Sequence, residues 1–462
     1  MKCIKYLVLV IFCCSQVSCD DFVDIDTPDN LISSQEVFSR DETANNAVLG
    51  IYNELYRASF SSGFQGSITV LGDLSADNLE ATFSNPNLLE YEENKIHPGN
   101  TANLELWSSA YNIIYMANSV IEGLNENNGV SPEVEDRLLG EAKVIRAFTY
   151  FYLVNLYGEI PLILGTDYRL NNRAARNDVT EVYDQIVEDL EAGIELLEPG
   201  YENAERLRVN KFTAMALLAR VHLYVENWKE AEELSHRVIT ESQTYQLLNN
   251  LDDVFLANSN EAIWQISPLG GGTGASNTNE GELFIMLDYL ESVKLTNDLV
   301  DVFPPGDLRF QNWIGSFPSD DMVYYFPYKY KIKFGTGDIT EYSMVLRLAE
   351  QYLIRSEALA RQGLIQEAID DLNVIRERAN LSPISDDTSV LTADDVLGLI
   401  LVERRRELFA EWGHRWLDLK RFENAGAILK PLKPLWQETD SLYPIPENEI
   451  IKNPNLIQNP GY

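Results

Sequence analysis

The chain has 462 residues, 45% of them hydrophobic, and its 72 acidic against 36 basic side chains give a formal charge of −36. Enough apolar surface is present for a large core, and the charge weighs against nucleic acid, whose phosphates need clustered Lys and Arg. The four cysteines, Cys3, Cys13, Cys14 and Cys19, all lie at the start, so no disulfide framework can staple the rest of the chain.

Lys2 and Lys5 precede an apolar run, Tyr6 to Cys14, that is too short for the roughly 20 residues of a membrane-spanning helix. Residues 1–18 therefore read as a signal peptide. Val17 and Ser18 before Cys19 resemble a lipoprotein processing site, with Gln16 where such sites usually carry Leu. Cleavage there leaves Cys19 as an acylated anchor, residues 19–35 as anchor and tether, and residues 36–462 as a single body. No later stretch is a candidate membrane span, because each apolar run carries charges at helical spacing.

Amphipathic helices follow in chain order. Glu42 to Tyr56 places Ala47, Val48, Ile51 and Leu55 on one face, and Leu104 to Leu124 does the same with Trp107, Tyr111, Ile114 and Val120. Ser131 and Pro132 mark a start, and the run to Tyr157 stops at Gly158. Thr180 to Leu197 is the next. Two hairpins then repeat a pattern: Ala219 and Ala231 stand 12 apart around a turn, as do Ser356 and Ala368. Small residues at that spacing let paired helices approach closely, as in tetratricopeptide repeats. The fold expected is mostly all-α, built of such hairpins.

Between the two hairpins the texture changes. From about 260 to 340 the chain is glycine-rich, then aromatic, with helix-breaking prolines at Pro304, Pro305, Pro318 and Pro327. So long a connection is expected to be loop-rich and to face a ligand. Gly270, Gly272 and Ala275 match the letters of a dinucleotide fingerprint without the helix it requires. Asn277, Asn279, Gly281 and Glu282 miss the calcium-loop spacing, and His97, His222, His236 and His414 show no ligand pairing, so no metal and no cofactor is expected. No nucleophile elbow is present, and paired carboxylates carry no weight in so acidic a chain.

Exposed aromatics point instead to sugar, whose C–H faces stack on rings while amides take the hydroxyls. The ligand-binding candidates are Phe83 and Asn85 in an early polar loop, Asn277 in the glycine-rich stretch, and Trp313, Tyr324 and Tyr325 in the aromatic segment.

Near the C-terminus, Glu403 to Arg421 reads ERRRELFAEWGHRWLDLKR. Leu401, Leu408, Trp412, Trp416 and Leu419 are expected on one helical stripe, with Glu411 paired to Arg415 and the arginine triplet in an ion-pair network. This segment resembles the signature of the SusD/RagB family of Bacteroidota outer-membrane lipoproteins. Glu141 to Leu164, Val345 to Ala360 and Tyr443 to Tyr462 resemble it too, and Asp20 and Asp21 resemble the family's surface-export signal. The resemblance implies one helical domain with a loop-rich ligand face and no enzymatic activity. It also implies glycan binding at the cell surface and delivery to a SusC-like TonB-dependent transporter. Binding of peptide or another nutrient is the alternative, with a surface glycosidase third.

Overall fold

A computed structural model describes residues 34–126, 129–241, 243–268, 277–335, 337–384 and 390–462. The expected signal peptide, Cys19 and all but the last residues of the tether lie outside these, as do Gly270, Gly272 and Ala275.

The first long helix, α1 (Asp41–Arg57), buries Ala44, Val48, Ile51 and Leu55. Next come α2 (Ile68–Ser75), β1 (Leu79–Ala81) and α3 (Pro86–Glu92), then the long pair α4 (Thr101–Glu126) and α5 (Pro132–Tyr157). Helix α5 has Pro132 in its first turn and ends where Gly158 takes φ 73°, a backbone state that side chains disfavour. It is buried on most of its circumference, so it forms the axis against which α4 and α6 (Val179–Leu196) pack.

The repeated hairpins are α7 (Lys211–Tyr224) with α8 (Trp228–Ile239), and α11 (Leu348–Arg361) with α12 (Ile365–Arg378). Between them lie β2 (Ala262–Ile266), α9 (Asn279–Phe284), β3 (Val293–Leu295), α10 (Leu308–Trp313), β4 (Ile314–Ser319), β5 (Met322–Pro327) and β6 (Ser343–Arg347). The small residues act as their spacing implied. Ala219 and Ala231 are fully buried in one cluster with Ile354 and Ala358, so the first hairpin seats directly on the second. Within the second, Ser356 Oγ donates 2.6 Å to the Ala368 carbonyl. The main core runs from Phe38 to Leu456.

Among the described residues three antiparallel strand pairs form, β1 with β3, β2 with β6, and β4 with β5, and all of them involve the connecting region. The region is therefore more regular than a loop-rich reading implied. Strands β2 and β6 are buried along their whole length. A short apolar strand paired inside the core shows no alternation, which is why its sequence did not declare it.

One expectation is corrected. The ERRRELFAEWGHRWLDLKR segment is two helices, α13 (Ala393–Leu408) and α14 (His414–Arg421), not one continuous stripe. Ala410, Trp412 and Gly413 all take positive φ between them. Tertiary contacts hold the break open: Ala410 N–H donates to Asp73 at 2.8 Å, Trp412 N–H to Thr69 at 3.1 Å, and Trp412 Nε1 to the Met344 carbonyl at 2.7 Å. A Cβ on Gly72 of α2 would lie 2.8 Å from Gly413 Cα, so this crossing requires glycine. Glu411 does not pair with Arg415. It accepts from Arg347 and Lys329, while Arg415 binds Asp77.

The arginine triplet does enter an ion-pair network. Arg404 binds Asp418 at 2.8 Å, Arg405 binds Asp77 at 3.1 Å, and Arg406 approaches Glu403 at 3.4 Å. Glu403 also binds Arg309, which leads to Glu407, a fully buried carboxylate that accepts from Arg309, Arg347 and Arg378. Burial alone would raise its pKa, but the three guanidinium groups outweigh it and hold the carboxyl well below the usual range.

Candidate functional site

The site is assembled from loops clamped by the small sheets. In the β1–β3 pair Glu80 stands opposite Lys294, and the two side chains form an ion pair across the strands. Thr82 N–H continues the ladder, donating 3.0 Å to the Ser292 carbonyl, and its hydroxyl donates to the Glu291 carbonyl. Gln65 Nε2 reaches Ser292 Oγ at 2.5 Å, which ties the 58–67 loop to the same strand.

The β4–β5 hairpin closes the other side. Side chains alternate along β5, so Tyr324 and Phe326 share one face and Tyr325 the opposite one. Phe326 packs with Ile285 and Met286 in a small separate core, rimmed by Leu290, Phe317, Tyr324 and Tyr328. A Cβ on Gly315 would strike the Phe326 ring at 2.3 Å, so the ring can cross the hairpin only over glycine. Lys333 Nζ donates to the Glu282 carbonyl at 2.6 Å and to Glu291 at 2.5 Å, which fixes the 331–334 segment against the 285–291 loop.

Behind this assembly Glu280 is buried. One oxygen accepts from the Ser343 hydroxyl, and Gly63 lies so close that a Cβ there would meet the carboxylate carbon at 2.2 Å. Gly63 has φ 77°, and this turn delivers Phe64 to the surface. Burial pushes the Glu280 carboxyl up to about 7.

The loops so joined carry a set of exposed apolar side chains, Phe64, Phe83, Leu287, Tyr289 and Phe334, with Tyr324 half-buried on β5; together they are called the aromatic strip. A groove of about 470 Å³ runs beside it, walled by Leu287, Ser316, Tyr328 and Phe334. Rings presented by clamped loops suit stacking.

Of the candidates taken from the sequence, the structure brings Phe83 and Tyr324 to this strip. Phe83 is 52% exposed. Asn85 lies two residues on as the N-cap of α3, its side-chain oxygen accepting from Asn87 N–H at 3.1 Å. Of the other three, Trp313 and Asn277 are buried, which corrects their reading as surface residues, and Tyr325 is half-buried. Tyr325 turns inward against Phe310, with ring centroids 6.2 Å apart. Trp313 has no exposed surface. Its Nε1 donates 3.0 Å to the Leu251 carbonyl, and Lys329, Arg347 and Arg378 stand 4.9, 5.7 and 5.8 Å from its ring. Asn277 is buried too, its side-chain oxygen accepting from the N–H groups of Thr340 and Glu341 at 2.5 and 3.0 Å. In both cases a polar atom found its partner inside the core, which made burial affordable. Phe64, Leu287, Tyr289 and Phe334 were not anticipated. Their signal was a bulky apolar residue set among Gly, Ser or Asp in a turn, as in Ser62-Gly63-Phe64 and Phe334-Gly335.

A family model described as starch-binding and associating with the outer membrane matches residues 21–223, and the SusD family model matches residues 318–462. This chain belongs to the SusD/RagB family. Among its relatives are SusD-like protein P38 of Formosa agariphila, 25% identical with 96% of each chain covered, and the starch-binding protein SusD of Bacteroides thetaiotaomicron, 24% identical over 73% of this chain and 75% of that one. Among solved structures, a SusD superfamily protein of Bacteroides vulgatus superposes with a TM-score of 0.81 at 21% identity, covering 91% of this chain and 99% of its own. A laminarin-binding SusD-like protein gives 0.76 at 24% identity, with 91% and 99% covered. The mostly helical fold expected for a SusD/RagB protein is thus present. No helix among the described residues is long and apolar enough to cross a membrane.

Proposed function

We propose that this SusD/RagB protein is a non-catalytic, cell-surface lipoprotein, held to the outer membrane through Cys19, that binds glycan. It would pass the glycan to a SusC-like TonB-dependent transporter. The observation that carries the reading is the strip of Phe64, Phe83, Tyr289, Tyr324 and Phe334 on loops clamped by short strand pairs. Such rings offer flat apolar faces at low entropic cost, because their positions are set before ligand arrives. The starch-binding and laminarin-binding relatives support the same ligand class. Phe83, Asn85 and Tyr324 remain its proposed contacts, joined by Tyr289 and Phe334.

Calorimetry of the mature chain against laminarin, soluble starch, inulin and xylan tests the reading. Binding of one of these, lost by at least about 100-fold in Phe83→Ala/Tyr289→Ala/Tyr324→Ala, is expected from stacking worth roughly 1 kcal/mol per ring. Binding that survives the triple substitution would place the site elsewhere. Release of reducing sugar by the purified protein would overturn the non-catalytic reading.

A further inference from the structure

We infer that the aromatic strip is charge-selective: it takes uncharged polysaccharide and turns away sulfated or uronate-bearing chains, with Glu80, Asp252 and Glu291 as the specificity-determining residues. This rests on the glycan-binding reading above and narrows it to a ligand class.

Lysines stand against the rings of the site, which by itself would suit an anionic sugar. Lys294 Nζ lies 5.6 Å from the Tyr324 ring, Lys331 Nζ 4.3 Å from Tyr328, and Lys333 Nζ 5.3 Å from Phe334 and 5.9 Å from Tyr289. Each of these ammonium groups is already engaged. Lys294 pairs with Glu80, Lys331 with Asp252 at 3.2 Å, and Lys333 with Glu291 at 2.5 Å. Backbone carbonyls take further donors: Tyr328 from Lys331 at 2.7 Å, and Glu282 from Lys333 at 2.6 Å. Each ammonium is thus neutralised by a carboxylate at contact distance, so a ligand sulfate meets an ion pair and not a free cation. The lysines hold rings and loops in place and present little net charge.

The charges left exposed at the tips of these loops are of the opposite sign. Asp288 sits between Leu287 and Tyr289, and Asp320 and Asp321 form the turn of the β4–β5 hairpin. A chain of charge −36 adds a repulsive field to these local groups. Like charges brought together at a contact disfavour the wrong partner more than they alter the right one. An uncharged glycan meets rings and hydroxyl partners here, whereas an anionic one meets carboxylates.

The test compares each neutral polymer with its own charged derivative: laminarin with laminarin sulfate, and soluble starch with starch sulfate, by calorimetry at 20 and 300 mM NaCl. For whichever backbone binds, the wild type is expected to bind the sulfated form at least about tenfold more weakly at low salt, with the gap narrowing at high salt. Glu291→Gln and Glu80→Gln are each expected to raise the ratio of sulfated to neutral affinity by about threefold to tenfold. The salt comparison on the wild type reads the same selectivity without any variant. Equal or tighter binding of a sulfated polymer by the wild type would overturn the charge selectivity and leave glycan binding standing. Failure to bind either member of both pairs would overturn the charge selectivity together with the laminarin and starch backbones on which it is read.

Discussion

Two regions of the molecule use ion pairs, and they use them for different ends. Around Glu407 the charges are fully buried, with Arg309, Arg347 and Arg378 converging on one carboxylate and Glu261 and Glu411 completing the cluster. Around the aromatic strip the pairs Glu80–Lys294 and Asp252–Lys331 are part-exposed, while Glu291–Lys333 lies just beneath the surface. Buried charges that lose a partner are severely penalised, so the first cluster dictates geometry. Part-exposed pairs such as Glu80–Lys294 and Asp252–Lys331 contribute little stability, so they are free to shape what the surface will accept. The difference separates a scaffold that must be rigid from a face that must discriminate.

The largest effect should come from breaking the scaffold. Glu407→Ala leaves three buried guanidinium groups short of their partner, and a loss of about 3–5 kcal/mol in denaturant unfolding is expected. Trp313→Ala, within the same cluster, should cost about 3–5 kcal/mol through its cavity. Glycan affinity measured on the folded protein should stay within about twofold. A selective loss of binding with unchanged stability would return Trp313 to the ligand site.

Glu280 joins the two regions, since it lies under the Phe64 turn, and it gives a pH signature. Its folded-state pKa is raised to about 7 from an unfolded value near 4.5, so the folded chain holds the proton more tightly. The stability this confers is complete below about pH 4.5 and is lost as pH rises to about 7, a change of up to roughly 3 kcal/mol. Urea unfolding of Glu280→Gln between pH 4.5 and 8 should therefore show a flatter fall than the wild type. An unchanged slope would assign the titration to another group, Asp73 being the next, since burial also pushes it up to about 7.

The smallest effect on stability should come from the face itself. Phe83→Ala removes an exposed ring, so unfolding should shift by no more than about 0.5 kcal/mol, while glycan affinity falls about fivefold to tenfold. A large loss of stability would mean that Phe83 is scaffold and not contact.

Much of the scaffold was legible because its signals are local. Pro132 and Gly158 bracket α5, and the 12-residue spacings of Ala219 with Ala231 and Ser356 with Ala368 mark the hairpin crossings. The candidate site was legible only in part. Phe83 is exposed and Tyr324 half-buried, yet Trp313, from the same aromatic run as Tyr324, is fully buried and Tyr325 packs against Phe310. An aromatic residue in an irregular segment carries no mark of which way it faces, and a strand's alternation sends neighbours such as Tyr324 and Tyr325 to opposite sides.

The sequence by itself determined the family, the helical hairpins and the acidity, because each rests on residues near one another or on a sum over the chain. Tertiary structure alone decided that α13 and α14 are separate helices, since the break depends on Gly72, Thr69 and Asp73 more than 300 positions away. It also decided which aromatics meet solvent and which carboxylate occupies each lysine beside them. Burial and pairing are properties of contacts between distant segments, and those contacts come into being only when the core has formed.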